Sequence, residues 1–477
     1  MTVGGSVPET APLHWWTARE LAAAIQRREL SAREVVAWHL DRIAEVNPRI
    51  NAIVTLAPEA ALTEADAADR RAAAGEPLGP LHGLPIAIKD LEDTAGIRTT
   101  YGCAAFAEHV PEADSLLVQR LRSAGAIVIG KTNTPEFGVG SHTFNAVFGA
   151  TRNPWALDRS AGGSSGGAGA ALAAGLLPIA DGSDHGGSIR NPASFNNVVG
   201  LRPTPGLVPD SGSGDVWDVA SVVGPMARTV GDLALMLTAI TGPDAGSPLS
   251  HGDPAAFGGE LRGELSGLRV AWCPDVGGLP VEPAVLGVLE GAREQLTALG
   301  AEVQDVTLDL SAADEAFETL RGLAFARSFG PSLGALRPVA KETLIWNIER
   351  GLALDAPAIA HAMVARSEVF TTFSYLFQRY DVLAAPAAQV APFAVEQEYP
   401  TEVAGVAMPH YLGWMRACSR ITVSGHPVAA VPAGFTEEGL PVGLQLVGRY
   451  RGDRRLLEHA AAWEAATGLT ERHPPLD

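Results

Sequence analysis

LLPIADGSDHGGSIR, residues 176–190, opens as an apolar run and closes on a glycine pair with a serine behind it. A run this short, bounded by glycine and proline, fits a buried strand, which puts Ser188 on a tight turn at the strand's end. Glycine loses more conformational freedom on folding than any other residue, so a pair is kept where backbone must turn sharply or approach something closely. The successive N–H groups of His185, Gly186, Gly187 and Ser188 can then converge into a nest for negative charge. An acyl-transfer reaction needs such a nest for its tetrahedral oxyanion. Serine is a poor nucleophile without a base, and no Asp–His pair is apparent around Ser188, so the base has to come from elsewhere.

A second glycine–serine cluster, AGGSSGG at residues 161–167, lies two dozen residues upstream (188 − 164 = 24). Its G-x-S-x-G pattern would make Ser165 the nucleophile of a hydrolase elbow, which demands a strand directly before the turn. The preceding NPWALDRSA contains proline, aspartate and arginine and no β-branched run, which argues against that strand. No lysine follows as in a phosphate-binding loop. Asp181 and Asp184 as a metal pair lack further ligands.

Working outward, LPIAI at 84–88 and AIVIG at 126–130 repeat the short apolar run, with helical stretches between them. That alternation predicts an α/β sheet with covered faces. Thr17–Glu20 and Ser31–Glu34 are capping boxes that start two helices. Residues 310–375 read as helical, HPVAAVP and LPVGLQLVG as two strands joined around Glu437, Glu438 and Gly439, and residues 386–412 as a long loop able to cover a site. Apolar residues make up 47% of the 477-residue chain, enough for a sizeable core. The net charge of −19 repels phosphate backbones and anionic lipid, so neither nucleic acid nor a membrane is expected as partner. Cys103, Cys273 and Cys418 are too scattered for a disulfide framework, and with no secretory signal or apolar span the expected location is cytoplasmic.

Taken together, LHGLPIAIKD (81–90), GKTNTPEFG (130–138), ATRNPW (150–155), AGGSSGG, GSDHGGSIR and the C-terminal VSGHPVAAVPAGFTEEGLPVGLQLVG closely resemble the amidase signature family, over most of the chain. The resemblance implies one domain over residues 1–477, built on a mixed, mostly central β-sheet covered by helices on both faces. Residues 75–230 would form the catalytic core, and residues 310–415 a helical and loop region shaping the substrate pocket. It also implies that Lys89 is the base, and that Ser164, following a cis peptide bond, relays the proton between Lys89 and the nucleophile Ser188. Ser165, Asp184 and Arg190 match positions that orient the loop. The family has no histidine in its proton path, and His185 departs from its usual threonine or small aliphatic residue. Physics sets one condition. A lysine with a reference pKa of about 10.4 must be lowered by about 3 units to serve as a base at neutral pH, and LPIAI before Lys89 offers the apolar burial.

The expected activity is cofactor-free and metal-free hydrolysis of the C–N bond of small aryl or aliphatic amides through an acyl-enzyme, extending to carbamates (urethanes) and esters, by a monomer or homodimer. Ser141, Phe144, Phe148, Trp155, Trp217 and Trp414 are the expected pocket residues, and loops 141–149, 205–220 and 390–415 the expected determinants of substrate choice. No basic cluster or charged anchor is apparent in those loops. Two rivals stand beside this reading: the glutaminase subunit of a tRNA-dependent amidotransferase, which needs such anchors, and a non-catalytic binding protein on the same fold.

Overall fold

Both capping boxes start helices where the sequence places them. Thr17 and Ser31 accept the N–H groups of Glu20 and Glu34, whose carboxylates reach back to the caps, opening Ala18–Gln26 and Ala32–Ile50. The computed structural model describes residues 12–210 and 214–476.

The apolar runs form strands, but in two sheets. β1 (Ile53–Leu56), β2 (Pro85–Lys89) and β3 (Ile127–Thr132) make a three-stranded sheet in the order β1-β3-β2, with β2 parallel and β1 antiparallel to β3. The large sheet contains β4 (Ile179–Asp184), β5 (Val199–Arg202), β6 (Val222–Ala227), β7 (Arg269–Trp272), β8 (Glu302–Asp305), β9 (Val382–Pro386), β10 (Val428–Phe435) and β11 (Pro441–Val447). Its order is β8-β7-β9-β11-β10-β5-β6-β4. β7 runs parallel to β8 and β9 while the remaining pairs are antiparallel, so the sheet is mixed.

The boundary between the sheets falls at the site. Where β2 ends, the Lys89 N–H donates not to a neighbouring carbonyl but to Asp181 Oδ1 on β4, at 2.9 Å. A carboxylate thus takes the acceptor role that a sheet ladder would otherwise fill, and it fixes the end of β2 against the edge strand of the large sheet. The helix Gly166–Ala173, all eight residues buried, packs in one apolar cluster with Ala87 and Ile129 of the small sheet and Ala180, Met226 and Ala430 of the large one. Only a Gly/Ala sequence comes this close: a Cβ on Gly167 would lie 2.3 Å from the Asn133 backbone nitrogen. A separate apolar cluster gathers the helices Ser311–Phe329, Glu342–Leu352, Ala356–Arg379 and Arg416–Ser424 over the large sheet.

Candidate active site

Lys89 is the last residue of β2, all five of whose residues are buried. Its Nζ lies 2.8 Å from Ser164 Oγ, 2.8 Å from Ser165 Oγ and 2.9 Å from Ser183 Oγ. Burial pushes the amine down from 10.5 to about 7, against the opposing pull of Asp181, Glu92 and Asp184. This is the direction that a lysine base requires. A neutral amine carries two N–H groups and one lone pair. Among three hydroxyl neighbours, two can accept from it and the third is left to donate into the lone pair, which is the geometry a base requires.

Ser164 follows a cis peptide bond from Gly163. The Ser165 N–H donates to the Ser188 carbonyl at 3.1 Å, so the two glycine–serine clusters are joined by main chain. A cavity of about 200 Å³ opens onto Ser164, Ser183, His185 and Ser188. Ser165 behaves differently. A short strand, Ala156–Ser160, does precede its turn, contrary to the sequence reading, so the elbow context is present. Burial decides against it instead: Ser165 is fully enclosed, its Oγ is held by Lys89 Nζ and by the Ser183 N–H at 3.3 Å, and it does not line the cavity.

The turn before Ser188 is braced by one carboxylate. Asp184 accepts the N–H of Gly187 at 2.9 Å and of Ile189 at 3.2 Å, and it pairs with Arg190 (2.9 Å) and Arg202 (3.3 Å), all fully buried. Burial alone would raise its pKa, but the two guanidinium groups hold it well below the usual carboxylate range. Arg190 carries the brace to the C-terminal elements through Gln445 Oε1, Thr422 Oγ1 and the Cys418 carbonyl. One member of the expected nest is therefore spent. Gly187, at φ +111° and with no room for a Cβ beside Cys418, gives its N–H to Asp184 in a turn of the aspartate type. Among the described residues, the N–H groups of His185, Gly186 and Ser188 make no hydrogen bond to the protein, whereas those of Gly187 and Ile189 go to Asp184. The His185 ring packs edge-on against Phe317 with centroids 5.5 Å apart. Its pKa is pushed well below 6.5 by burial first and then by Arg321 and Arg202, so it stays neutral.

The expected pocket residues do not line this cavity. Ser141, Phe144 and Trp414 border a separate narrow crevice, where Ser141 Oγ accepts from Asn191 Nδ2 at 3.0 Å and Trp414 packs in the core against Phe393. Phe148 lies under the Arg98 guanidinium, Trp155 packs on Phe435 with its indole N–H on the Asn196 carbonyl, and Trp217 is 67% exposed. These are scaffold contacts that large aromatics commonly make. The cavity wall comes instead from Phe137 and from the helix Ser311–Phe329, which contributes Arg321, Phe325, Arg327 and Phe329, while the 205–220 loop supplies Asp218. The sequence reading found no basic anchor because Arg321 and Arg327 sit in an otherwise ordinary helix, far from every motif. Arg202, the second clamp on Asp184, ends the strand β5 and was missed because its contact with Asp184 is made by the fold rather than by any local pattern.

Comparison with known proteins places the chain in a family. The profile of the Amidase family matches residues 34–457. The acylamidase of Rhodococcus erythropolis is 37% identical over 469 residues, covering 97% of this chain and 98% of that protein. One subunit of the glutamyl-tRNA(Gln) amidotransferase of Moorella thermoacetica is 37% identical over 495 residues, covering 97% and 99%. A bacterial aryl acylamidase of known structure superposes with a TM-score of 0.89 at 30% identity, over 97% of this chain and 99% of that one. The described residues contain no helix long and apolar enough to cross a membrane. The chain belongs to the amidase signature family.

Proposed function

We propose that this chain hydrolyses small aryl and aliphatic amides through an acyl-enzyme on Ser188. The observation that carries the reading is the buried amine of Lys89, lowered to about 7 and 2.8 Å from Ser164 Oγ. Ser188 Oγ attacks the carbonyl carbon and passes its proton to Ser164, whose own proton moves to the Lys89 lone pair. The tetrahedral oxyanion is met by the free N–H groups of His185, Gly186 and Ser188; one such donor is worth about 3 to 4 kcal/mol in comparable sites. Collapse breaks the C–N bond, and the proton returns from Lys89 through Ser164 to the leaving amine. Water then repeats the path on the acyl ester. Nothing in this path depends on the leaving atom being nitrogen, so carbamates and esters with a small aryl or alkyl group belong to the same proposal.

The test is covalent. A fluorophosphonate is expected to label Ser188 and Ser188→Ala to be inert on anilides, with peptide mapping of the label onto Ser165 overturning the assignment. Matched anilide and N-aryl carbamate substrates then read the carbamate extension, which fails if the carbamate releases no more amine than the Ser188→Ala control. A second reading, a glutaminase subunit, draws on the likeness to the amidotransferase subunit. Robust anilide turnover by the chain alone, with no ammonia released from glutamine, excludes it.

A further inference from the structure

Arg321 is set apart from the other buried arginines by what it lacks. It lines the same cavity as Ser164 and Ser188 and is only 4% exposed. Arg190 and Arg202 share Asp184, Arg420 pairs with Asp314, and Arg228 ends on main-chain carbonyls. Arg321 has neutral side-chain partners instead: its Nε reaches Asn347 Oδ1 at 3.2 Å, and Nε and Nη2 reach the Tyr411 hydroxyl at 3.2 and 3.1 Å. Among the described residues no carboxylate lies within 4.0 Å of it, and its Nη1 makes no bond to the protein. Its Cζ sits 4.5 Å from the centre of the Phe325 ring, which fixes the plane of the fork.

A guanidinium does not lose its proton in a protein, so this charge has to be tolerated as a charge. Taking an ion out of water is costly unless an opposite charge offsets it. The neighbouring cation of the cavity, Arg327, already has Asp215, and Asp218 turns a carboxylate oxygen to the Ala220 N–H at 2.8 Å. A carboxylate is the planar two-oxygen anion that a guanidinium fork matches. Phe325 and Phe329 offer an apolar surface on the same helix beside that fork.

We propose that Arg321 is a carboxylate anchor, so that the preferred substrates of this site are amphiphilic amides: a carboxylate on Arg321, a hydrocarbon or aryl spacer along Phe325 and Phe329, and the scissile carbonyl at Ser188. The proposal rests on the acyl-transfer reading above and adds the substrate class to it. No covalent step beyond that reading is involved.

Two matched pairs test it and locate the carboxylate. Glutaranilic acid against pentananilide places the charge on the acyl side, and 4-acetamidobenzoate against acetanilide places it on the amine side. The wild type is expected to favour the charged member of one pair by about tenfold or more in kcat/KM, mainly through KM. Arg321→Gln is expected to bring that ratio close to one, and Arg321→Lys, which keeps the charge without the fork, to retain part of it. No preference in either pair, or an Arg321→Gln variant that slows all four substrates alike, overturns the anchor. Should Arg321→Gln fail to fold, judged by thermal melting, the Arg321→Lys ratio carries the same decision. Should the wild type hydrolyse none of the four, the acyl-transfer reading has failed separately. Calorimetric titration of glutarate and benzoate then tests the anchor directly: binding by the wild type that Arg321→Gln or Arg321→Lys weakens supports it, and absent or equal binding overturns it.

Discussion

The two walls of the cavity are built by opposite means. On one side, residues 161–190 offer main-chain groups and small side chains, with glycines where a Cβ would collide and with Asp184 held between Arg190 and the incoming Arg202. On the other, the helix Ser311–Phe329 offers large side chains to the cavity, including Phe325, Phe329, Arg327 and Arg321, the last with no acidic partner among the described residues. The first wall holds atoms in place, as a reaction with an oxyanion requires. The second presents shape and charge, as recognition of a substrate requires. If the division is real, substitutions on the first wall should act on kcat or on folding, and those on the second on KM.

The largest expected effect is at Lys89. Lys89→Ala should lower kcat/KM by roughly a thousandfold or more, as loss of a base does in sites whose members act as a unit. The pH profile carries the sign. Only the neutral amine accepts a proton, and burial has brought Lys89 to about 7. Activity should therefore rise with pH, about tenfold per unit well below 7, and flatten above it. A profile that is flat from pH 5.5 to 8.5, or a Lys89→Ala variant that keeps most of the rate, separates this lysine from the chemistry.

Next comes the brace. Asp184→Asn leaves two buried guanidinium groups without their shared anion, and breaking such a pair costs roughly 3 to 5 kcal/mol. The loss should appear as a lowered denaturation midpoint. The folded pKa of Asp184 is depressed, so its contribution is fully present above the unfolded value of about 4 and is lost only as pH falls through the lower folded value. The gap in stability between wild type and Asp184→Asn should hence stay constant from neutrality down to about pH 5 and narrow only in stronger acid. Equal midpoints for the two proteins at pH 7 break the claim that this carboxylate holds the turn.

The same division explains what could be read from the sequence. Ser188 was legible in a local pattern, an apolar run and a glycine pair with a serine behind it, whereas Lys89 and Ser164 entered through the family resemblance alone, and the structure sets Lys89 Nζ 2.8 Å from Ser164 Oγ. Even there the Gly187 N–H was misassigned, since its capture by Asp184 depends on a turn geometry that glycine spacing does not encode. The division of the strands into two sheets was hidden because short apolar runs predict strands and not which strands pair; only the fold brings the Lys89 N–H to Asp181 across 92 residues. The second wall left no local trace. Phe325 and Arg321 look like any residues of a covering helix, whereas the conspicuous tryptophans 155, 217 and 414 went to scaffold, surface and core. Whether an aromatic faces a cavity or a core is decided by packing between elements distant in sequence.

A moderate effect is expected on the second wall. Phe329, partly buried at the cavity and packed against Phe137 with centroids 4.8 Å apart, should contribute mainly contact with the substrate's apolar part. Phe329→Ala is expected to raise KM for an anilide by about five- to tenfold, the scale of one lost aromatic contact, while kcat changes by less than about twofold. A fall in kcat with KM unchanged would mean that this wall takes part in the chemical step and that the contrast between the walls is drawn in the wrong place.

The smallest effect concerns the ion pair of Arg327 with Asp215, which ties residues near 215 to the covering helix at the edge of the cavity. Both side chains are about a third exposed, 36% and 34%, so water and salt screen the attraction. Pairs of this kind are worth about 0 to 1 kcal/mol. Asp215→Asn should leave the melting temperature within about 2 °C. It nonetheless releases a second cation into a cavity that already holds the unpaired Arg321. The consequence is directional: KM for an anionic amide such as glutaranilic acid should fall two- to threefold at low ionic strength, roughly the effect of one screened charge, KM for its neutral partner should stay within error, and the difference should vanish in about 0.5 M salt. A change shared by the charged and neutral substrates would show that residue 215 acts through the shape of the cavity mouth rather than through its field, and the second wall would then recognise substrates by contact alone.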